Sequence, residues 1–238
     1  HEALLQLVLA NDYTSNDTLQ YKMIIGQIPA LVLDLDGNHN SGTDISNSLE
    51  TLGISSHYLT EFPPELDIYS SVFVCLGVYF DNYILSEEEG QLLADYLTGG
   101  GNIYMESGDT WFYNPETPVH PMFKINGITD GSPDLSTLVG MEGTFTEGQT
   151  FVYSGDNNYI DHISPLEDAF LIMQNTDPEY GVAVAYEGIN YRTIGTSFEF
   201  GGLNDGIYPS TKDKYLLEVV EFFRIDRLPL GSISGMVK

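Results

Sequence analysis

From residue 28 to residue 106, short unbroken apolar runs alternate with segments whose apolar positions recur at helical spacing. Ala30-Leu31-Val32-Leu33-Asp34 carries no polar break, which suits a strand buried on both faces. After a polar loop at residues 36 to 42, Ile45, Leu49 and Leu52 mark a helix, with Thr43 or Asp44 as its cap and Gly53 as its stop. Residues 54 to 60 and 71 to 76 read as the second and third strands. The next helix has the clearest signal: Ser86 and Glu89 form a capping box, Glu87 and Glu88 complement the helix dipole, and Leu92, Leu93, Tyr96 and Leu97 make the buried stripe. Gly99 to Gly101 end it. A fourth strand, residues 103 to 106, then runs into the tight polar turn Glu106-Ser107-Gly108-Asp109.

This strand and helix alternation predicts an α/β domain over residues 28 to 227, built on a doubly wound, mainly parallel sheet with right-handed crossovers. Residues 111 to 190 break the pattern with turn signals such as Asn114-Pro115, Asp130-Gly131 and Ser154-Gly155, and read as a β-rich insertion. The insertion ends in a hairpin, residues 181 to 186 and 191 to 200, whose second arm should rejoin the main sheet. Ser210 and Asp213 together should cap a last helix that buries Leu216, Val219, Val220 and Phe223. Residues 1 to 27 hold two alternating apolar segments around a turn-rich connection, a β-hairpin that reads as the end of a preceding β-sandwich domain. Residues 228 to 238 read as a linker into a following domain.

Composition narrows the function more than the fold. The chain of 238 residues has 8 Lys+Arg against 35 Asp+Glu, a formal net charge of -27. Such a charge repels nucleic-acid phosphates and anionic lipid, and suits solubility in a salty or extracellular medium, or cation binding. No apolar run approaches the roughly 20 residues that a spanning helix needs. One cysteine, Cys75, leaves no internal disulfide framework and no cysteine-based zinc site. Its place at the end of the third strand marks it as a small buried hydrophobe.

The order strand, helix, strand, strand, helix, Gly-Gly, strand, tight turn resembles the class I glutamine amidotransferase-like superfamily, a flavodoxin-like α/β fold. In that family a nucleophilic Cys follows the fourth strand and a His follows a late strand. Here those positions read Met105-Glu106-Ser107-Gly108 and Gly195-Thr196-Ser197-Phe198-Glu199-Phe200. A thioester route needs a thiolate and an adjacent base, so the resemblance implies a degenerate, non-catalytic module. Residues 197 to 206 and 33 to 37 further resemble such modules in large secreted or surface proteins of Gram-negative bacteria, and residues 231 to 237 resemble the first strand of a carboxypeptidase-regulatory-like domain.

With that topology, Asp34, Asp36, Asn38 and His39, then Tyr79 and Asp81, then Glu106, Ser107, Asp109 and Trp111, and finally Glu199 all approach one sheet edge. They read as an acidic ligand cleft, or as carboxylates that are merely solvated or cap helices. Residues 34 to 44 place oxygen ligands at alternate positions, but His39 and Ile45 stand where a calcium loop needs Gly and Glu. What remains is a looser calcium site on Asp34, Asp36 and Asn38. Ser107 with His39 would make a serine hydrolase, and Glu106 with Glu199 a glycosidase pair. Tyr79, Phe80, Tyr83, Trp111, Phe112 and Tyr113 could form a sugar- or peptide-binding face. The sequence thus predicts a structural or interaction module of a secreted or cell-surface multidomain protein. Its partners would be neighbouring domains of the same polypeptide and a glycan or peptide ligand. A hydrolase or carbohydrate-binding domain using the same cleft is the alternative.

Overall fold

The computed structural model describes residues 27 to 225; the expected N-terminal hairpin and the expected linker at residues 228 to 238 lie outside them. The four apolar runs form β1 (Ala30–Asp34), β2 (Ser56–Leu59), β3 (Ser71–Cys75) and β4 (Asn102–Glu106). They lie parallel in the order β4-β3-β1-β2. Every residue of β1 and β3 is buried, as unbroken apolar runs require when both sheet faces are covered.

Two helices make the crossovers, α1 (Asn40–Thr51) and α2 (Glu87–Thr98). The capping box of α2 forms as the sequence predicts: the Ser86 hydroxyl accepts the Glu89 N–H, and the Glu89 carboxylate accepts the Ser86 N–H at 2.8 Å. The start of α1 differs, since neither Thr43 nor Asp44 caps it. Asn38 Oδ1 accepts the Asn40 N–H at 2.8 Å, and His39 takes a left-handed conformation at φ 56° just before the first turn.

After β4 the strand and helix alternation ends, and the expected flavodoxin-like, doubly wound sheet has to be corrected. The chain continues through β5 (Ile125–Thr129), β6 (Thr137–Gly140), β7 (Thr150–Tyr153), β8 (His162–Pro165), β9 (Phe170–Thr176), β10 (Glu179–Glu187), β11 (Arg192–Thr196) and β12 (Leu203–Asn204). All but β5 and β8 join the first four in one ten-stranded mixed sheet, ordered β12-β7-β6-β9-β10-β11-β4-β3-β1-β2. β11 runs parallel to β4, and every pair beyond it is antiparallel. Residues 111 to 190 are therefore no insertion set apart from the sheet but much of its second half. The physical reason is that a hairpin such as β9 to β10 adds a strand through a tight turn, whereas a parallel addition needs a crossover of a dozen or more residues. β5 and β8 pair separately.

The last helix, α3 (Lys212–Phe222), is capped by Thr211, whose hydroxyl accepts the Lys214 N–H, rather than by Ser210 or Asp213. The Ser210 hydroxyl is engaged elsewhere, accepting the Thr150 N–H at 2.8 Å. On one face of the sheet, Ile45 and Leu49 of α1 and Leu216, Val219 and Val220 of α3 pack with Phe73, Tyr104 and Phe151. On the other, Leu93 and Leu97 of α2 pack with Leu31, Val72, Val74 and Ile103. Burying each such side chain contributes roughly 1.5 to 3 kcal/mol, so these two layers outweigh the surface ion pairs in holding the sheet. No helix among the described residues is long and apolar enough to cross a membrane.

Candidate functional site

Strand register fixes the site. Asp34 lies opposite Cys75, Cys75 opposite Glu106, and Glu106 opposite Thr196, so the carboxyl ends of β1, β3, β4 and β11 form one row. Ligands collect along such a row in open sheets with parallel strands. Asp34, Asp36, Asn38, Glu106 and Glu199 are brought together there.

Their environment is nonetheless that of a core. Asp34, Asp36 and Glu106 are fully buried and Glu199 is 1% exposed. Glu106 Oε2 accepts the Phe200 N–H at 2.9 Å and the Tyr104 hydroxyl at 3.0 Å. Burial pushes the Glu106 carboxyl up to about 7, although those donors pull it down. Glu199 accepts from the Asn38 amide at 3.1 Å and from the Asp156 N–H at 3.3 Å. Burial, then the neighbouring Glu106 and Asp36 carboxyls, raise its pKa; burial is also the first cause of the rise at Asp36. With Asp36 and Glu199 both raised in pKa, burial in this row favours the protonated, uncharged form of the two carboxyls. Asp34 Oδ2 accepts from the Tyr58 hydroxyl and lies 3.2 Å from His39 Nδ1.

The other predicted groups scatter. His39 faces Asp34, whereas Ser107 is fully buried and its hydroxyl accepts the Asp109 N–H at 3.3 Å. Apart from the predicted groups, His120 is also internal: Thr117 N–H donates to its Nδ1 at 2.8 Å, so Nε2 carries the proton toward the Thr110 hydroxyl at 3.0 Å. Asp109 is buried and accepts the Tyr79 N–H at 3.3 Å; burial pushes its carboxyl up to about 6. Trp111 is a packing residue. It is 7% exposed, donates its indole N–H to the Thr196 carbonyl at 2.8 Å and packs on Phe123. Asp81 and Tyr79 lie exposed on the next loop. Cys75 is buried, and burial, followed by Glu106, Asp34 and Asp36, pushes its thiol well up.

Three residues that the sequence argument missed complete this edge. Tyr104 was legible, because it shares a strand face with Glu106 two residues on. Tyr58 lay within an expected strand but carried no signal of its contact with Asp34. Asp161 follows no motif, yet its carboxylate accepts the N–H groups of Trp111 at 2.9 Å and Phe112 at 2.8 Å and so fixes the turn after β4. Burial pushes Asp161 up to about 8 against the pull of those two donors.

Among the described residues, no group of three or more His, Cys, Asp or Glu side chains is placed to hold a metal ion. In the expected calcium set, Asp36 Oδ1 accepts the Asn38 N–H at 3.3 Å and the Asn38 amide points to Glu199 and Asp156, so the three side chains answer to different partners.

No protein-family model matches the chain, and no curated protein matches it. Solved structures do resemble it. A cold-adapted β-galactosidase from Rahnella sp. R3 is similar over 87% of this chain and 32% of its own, at 14% identity and a TM-score of 0.63. The mmIFT52 N-terminal domain is similar over 84% of this chain and 100% of its own, at 11% identity and 0.59. A ThuA-like protein from Parabacteroides merdae is similar over 81% of this chain and 88% of its own, at 11% identity and 0.52. The chain thus spans about a third of the β-galactosidase, and at these identities the likenesses bear on the fold alone. They spread over differently named proteins, and the sheet is mixed and ten-stranded rather than doubly wound. The expected membership of the class I glutamine amidotransferase-like superfamily, as a degenerate module, is therefore corrected: what the chain shares with its structural neighbours is a large mixed sheet.

Proposed function

We propose that residues 27 to 225 form a non-catalytic structural or interaction module within a secreted or cell-surface multidomain protein. One observation carries the reading: the groups that could perform chemistry are enclosed, with Glu106 and Ser107 fully buried and Glu199 1% exposed. A nucleophile or general acid must reach substrate atoms to act. Here Glu106 is occupied by Phe200 and Tyr104, Ser107 by Asp109, and Glu199 by Asn38 and Asp156. The net charge of -27 supports a soluble extracellular setting and argues against nucleic-acid and anionic-membrane partners. The partners in this reading are neighbouring domains of the same polypeptide and a peptide or glycan ligand.

The module works without a cofactor in this reading; a melting temperature raised by several degrees on adding millimolar calcium would restore the calcium site. The main test is a screen of the wild-type chain against chromogenic glycosides, esters and amides. The expected result is no turnover. Turnover that disappears in Glu106→Gln or Glu199→Gln would establish the hydrolase alternative instead.

A further inference from the structure

The least protected part of this sheet edge is aromatic. The Asp81 N–H donates to the Val78 carbonyl at 3.1 Å and closes a four-residue turn with Tyr79 and Phe80 at its corners. Their rings lie 4.1 Å apart, and Tyr159 meets Tyr79 edge-on at 5.9 Å. All three rings face solvent, Phe80 at 74% exposure. The platform is fastened from beneath: the Asn158 amide donates to the Tyr79 carbonyl at 3.1 Å, and Asp109 accepts the Tyr79 N–H. Tyr159 holds φ 55°, a left-handed conformation that a bulky side chain adopts only against steric resistance. Neither the buried carboxylates nor the sheet packing uses these exposed rings.

Charge identifies the occupant. The loops that meet here, residues 36 to 40, 77 to 83, 107 to 114 and 154 to 161, contain no Lys or Arg. Asp81 and Asp156 are exposed on them. Asp156 accepts the Asn38 amide at 3.0 Å, but no Lys or Arg pairs with it or with Asp81. Aromatic faces beside carboxylates that no cation neutralises attract cations, and a guanidinium both stacks on a ring and pairs with a carboxylate. We propose that the Tyr79-Phe80-Tyr159 platform is a docking site for an arginine-bearing polypeptide segment. The proposal rests on the interaction-module reading and names its partner's chemistry.

The test is fluorescence anisotropy with three labelled peptides, Gly-Arg-Gly-Arg-Gly-Arg-Gly and its all-Lys and all-Gln counterparts, at about 0.15 M salt, where charges more than about 8 Å apart are largely screened. The variants are Phe80→Ala and Tyr159→Gly, singly and together. Phe80 is exposed, and glycine at 159 eases the left-handed backbone, so unchanged melting temperatures should accompany both. The expected result is binding in the order Arg, Lys, Gln, with the double variant weakening the Arg peptide about tenfold. Equal binding by the double variant would mean diffuse charge attraction and would overturn the site, as would no binding of the Arg peptide by the wild type. Binding of cellohexaose or maltohexaose lost in Phe80→Ala, without discrimination among the peptides, would overturn it in favour of a glycan. Turnover in the substrate screen sinks the non-catalytic reading by itself and leaves the peptide result standing, so the two failures are distinguishable.

Discussion

The Glu106 carboxylate accepts the backbone N–H of Phe200 at 2.9 Å, joining the end of β4 to the turn after β11 from inside the protein. The contact gives the residue at the expected nucleophile turn a structural task. Removing it in Glu106→Ala leaves the Phe200 N–H and the Tyr104 hydroxyl without their acceptor and opens a cavity. The expected cost is about 2 to 4 kcal/mol in urea denaturation. Glu106→Gln keeps an acceptor oxygen of similar reach and should cost under about 1 kcal/mol. Equal losses in the two variants would show that charge, not hydrogen bonding, is what the site needs.

Stability should fall as pH rises through the neutral range. Burial pushes Glu106 from 4.5 up to about 7 and Asp161 from 3.8 up to about 8, so the folded chain keeps protons that the unfolded chain has lost. A carboxyl with a raised folded pKa contributes stability that is fully present below its unfolded value and lost as pH climbs through the folded one. For Glu106 that contribution is on the order of 3 kcal/mol. Glu89 and Glu187 have lowered values and act at more acidic pH. Melting temperature should therefore decline from pH 5 to pH 8, less steeply in Glu106→Gln. A wild-type melting temperature that climbed over that interval would refute the assignment.

What was legible in the sequence follows the same line between local and long-range physics. The capping box at Ser86 and Glu89 and the burial of β1 are short-range signals, and both appear as read. That β1 to β4 run parallel also follows from local alternation, whereas their order β4-β3-β1-β2 was not read. The ten-stranded sheet was not legible, because whether a short strand such as β6 joins the main sheet depends on a pairing with β9 that its own residues do not encode. At the edge, the strand register places Asp34, Asp36, Glu106 and Glu199 side by side. Their enclosure could not be read in full, since beyond Tyr104, which shares a strand face with Glu106, it depends on Tyr58 and Tyr153 closing in from β2 and β7.

Gly42 makes a different kind of prediction. An interior helix glycine replaced by alanine normally gains up to about 1 kcal/mol. Here a Cβ would run into the Asp34 carboxylate, which is itself held by Tyr58 and His39. Gly42→Ala should instead lose roughly 1 to 3 kcal/mol, the usual range for overpacking a core. A stabilised Gly42→Ala would mean that α1 does not press on the end of β1.

Cys75 tests the burial of the whole row. Its thiol is enclosed between Asp34 on β1 and Glu106 on β4. Burial first, then the neighbouring carboxylates, keep it protonated. Disulfide exchange requires a thiolate that the reagent can reach, and the native fold withholds both. Ellman's reagent should leave the native chain unmodified and react with one thiol per chain across the urea transition, tracking loss of tryptophan fluorescence. Labelling at low urea, ahead of that transition, would show that the carboxyl edge opens locally. Glu106 and Glu199 would then be reachable by solvent in the folded protein, and the case for a non-catalytic module would lose its main support.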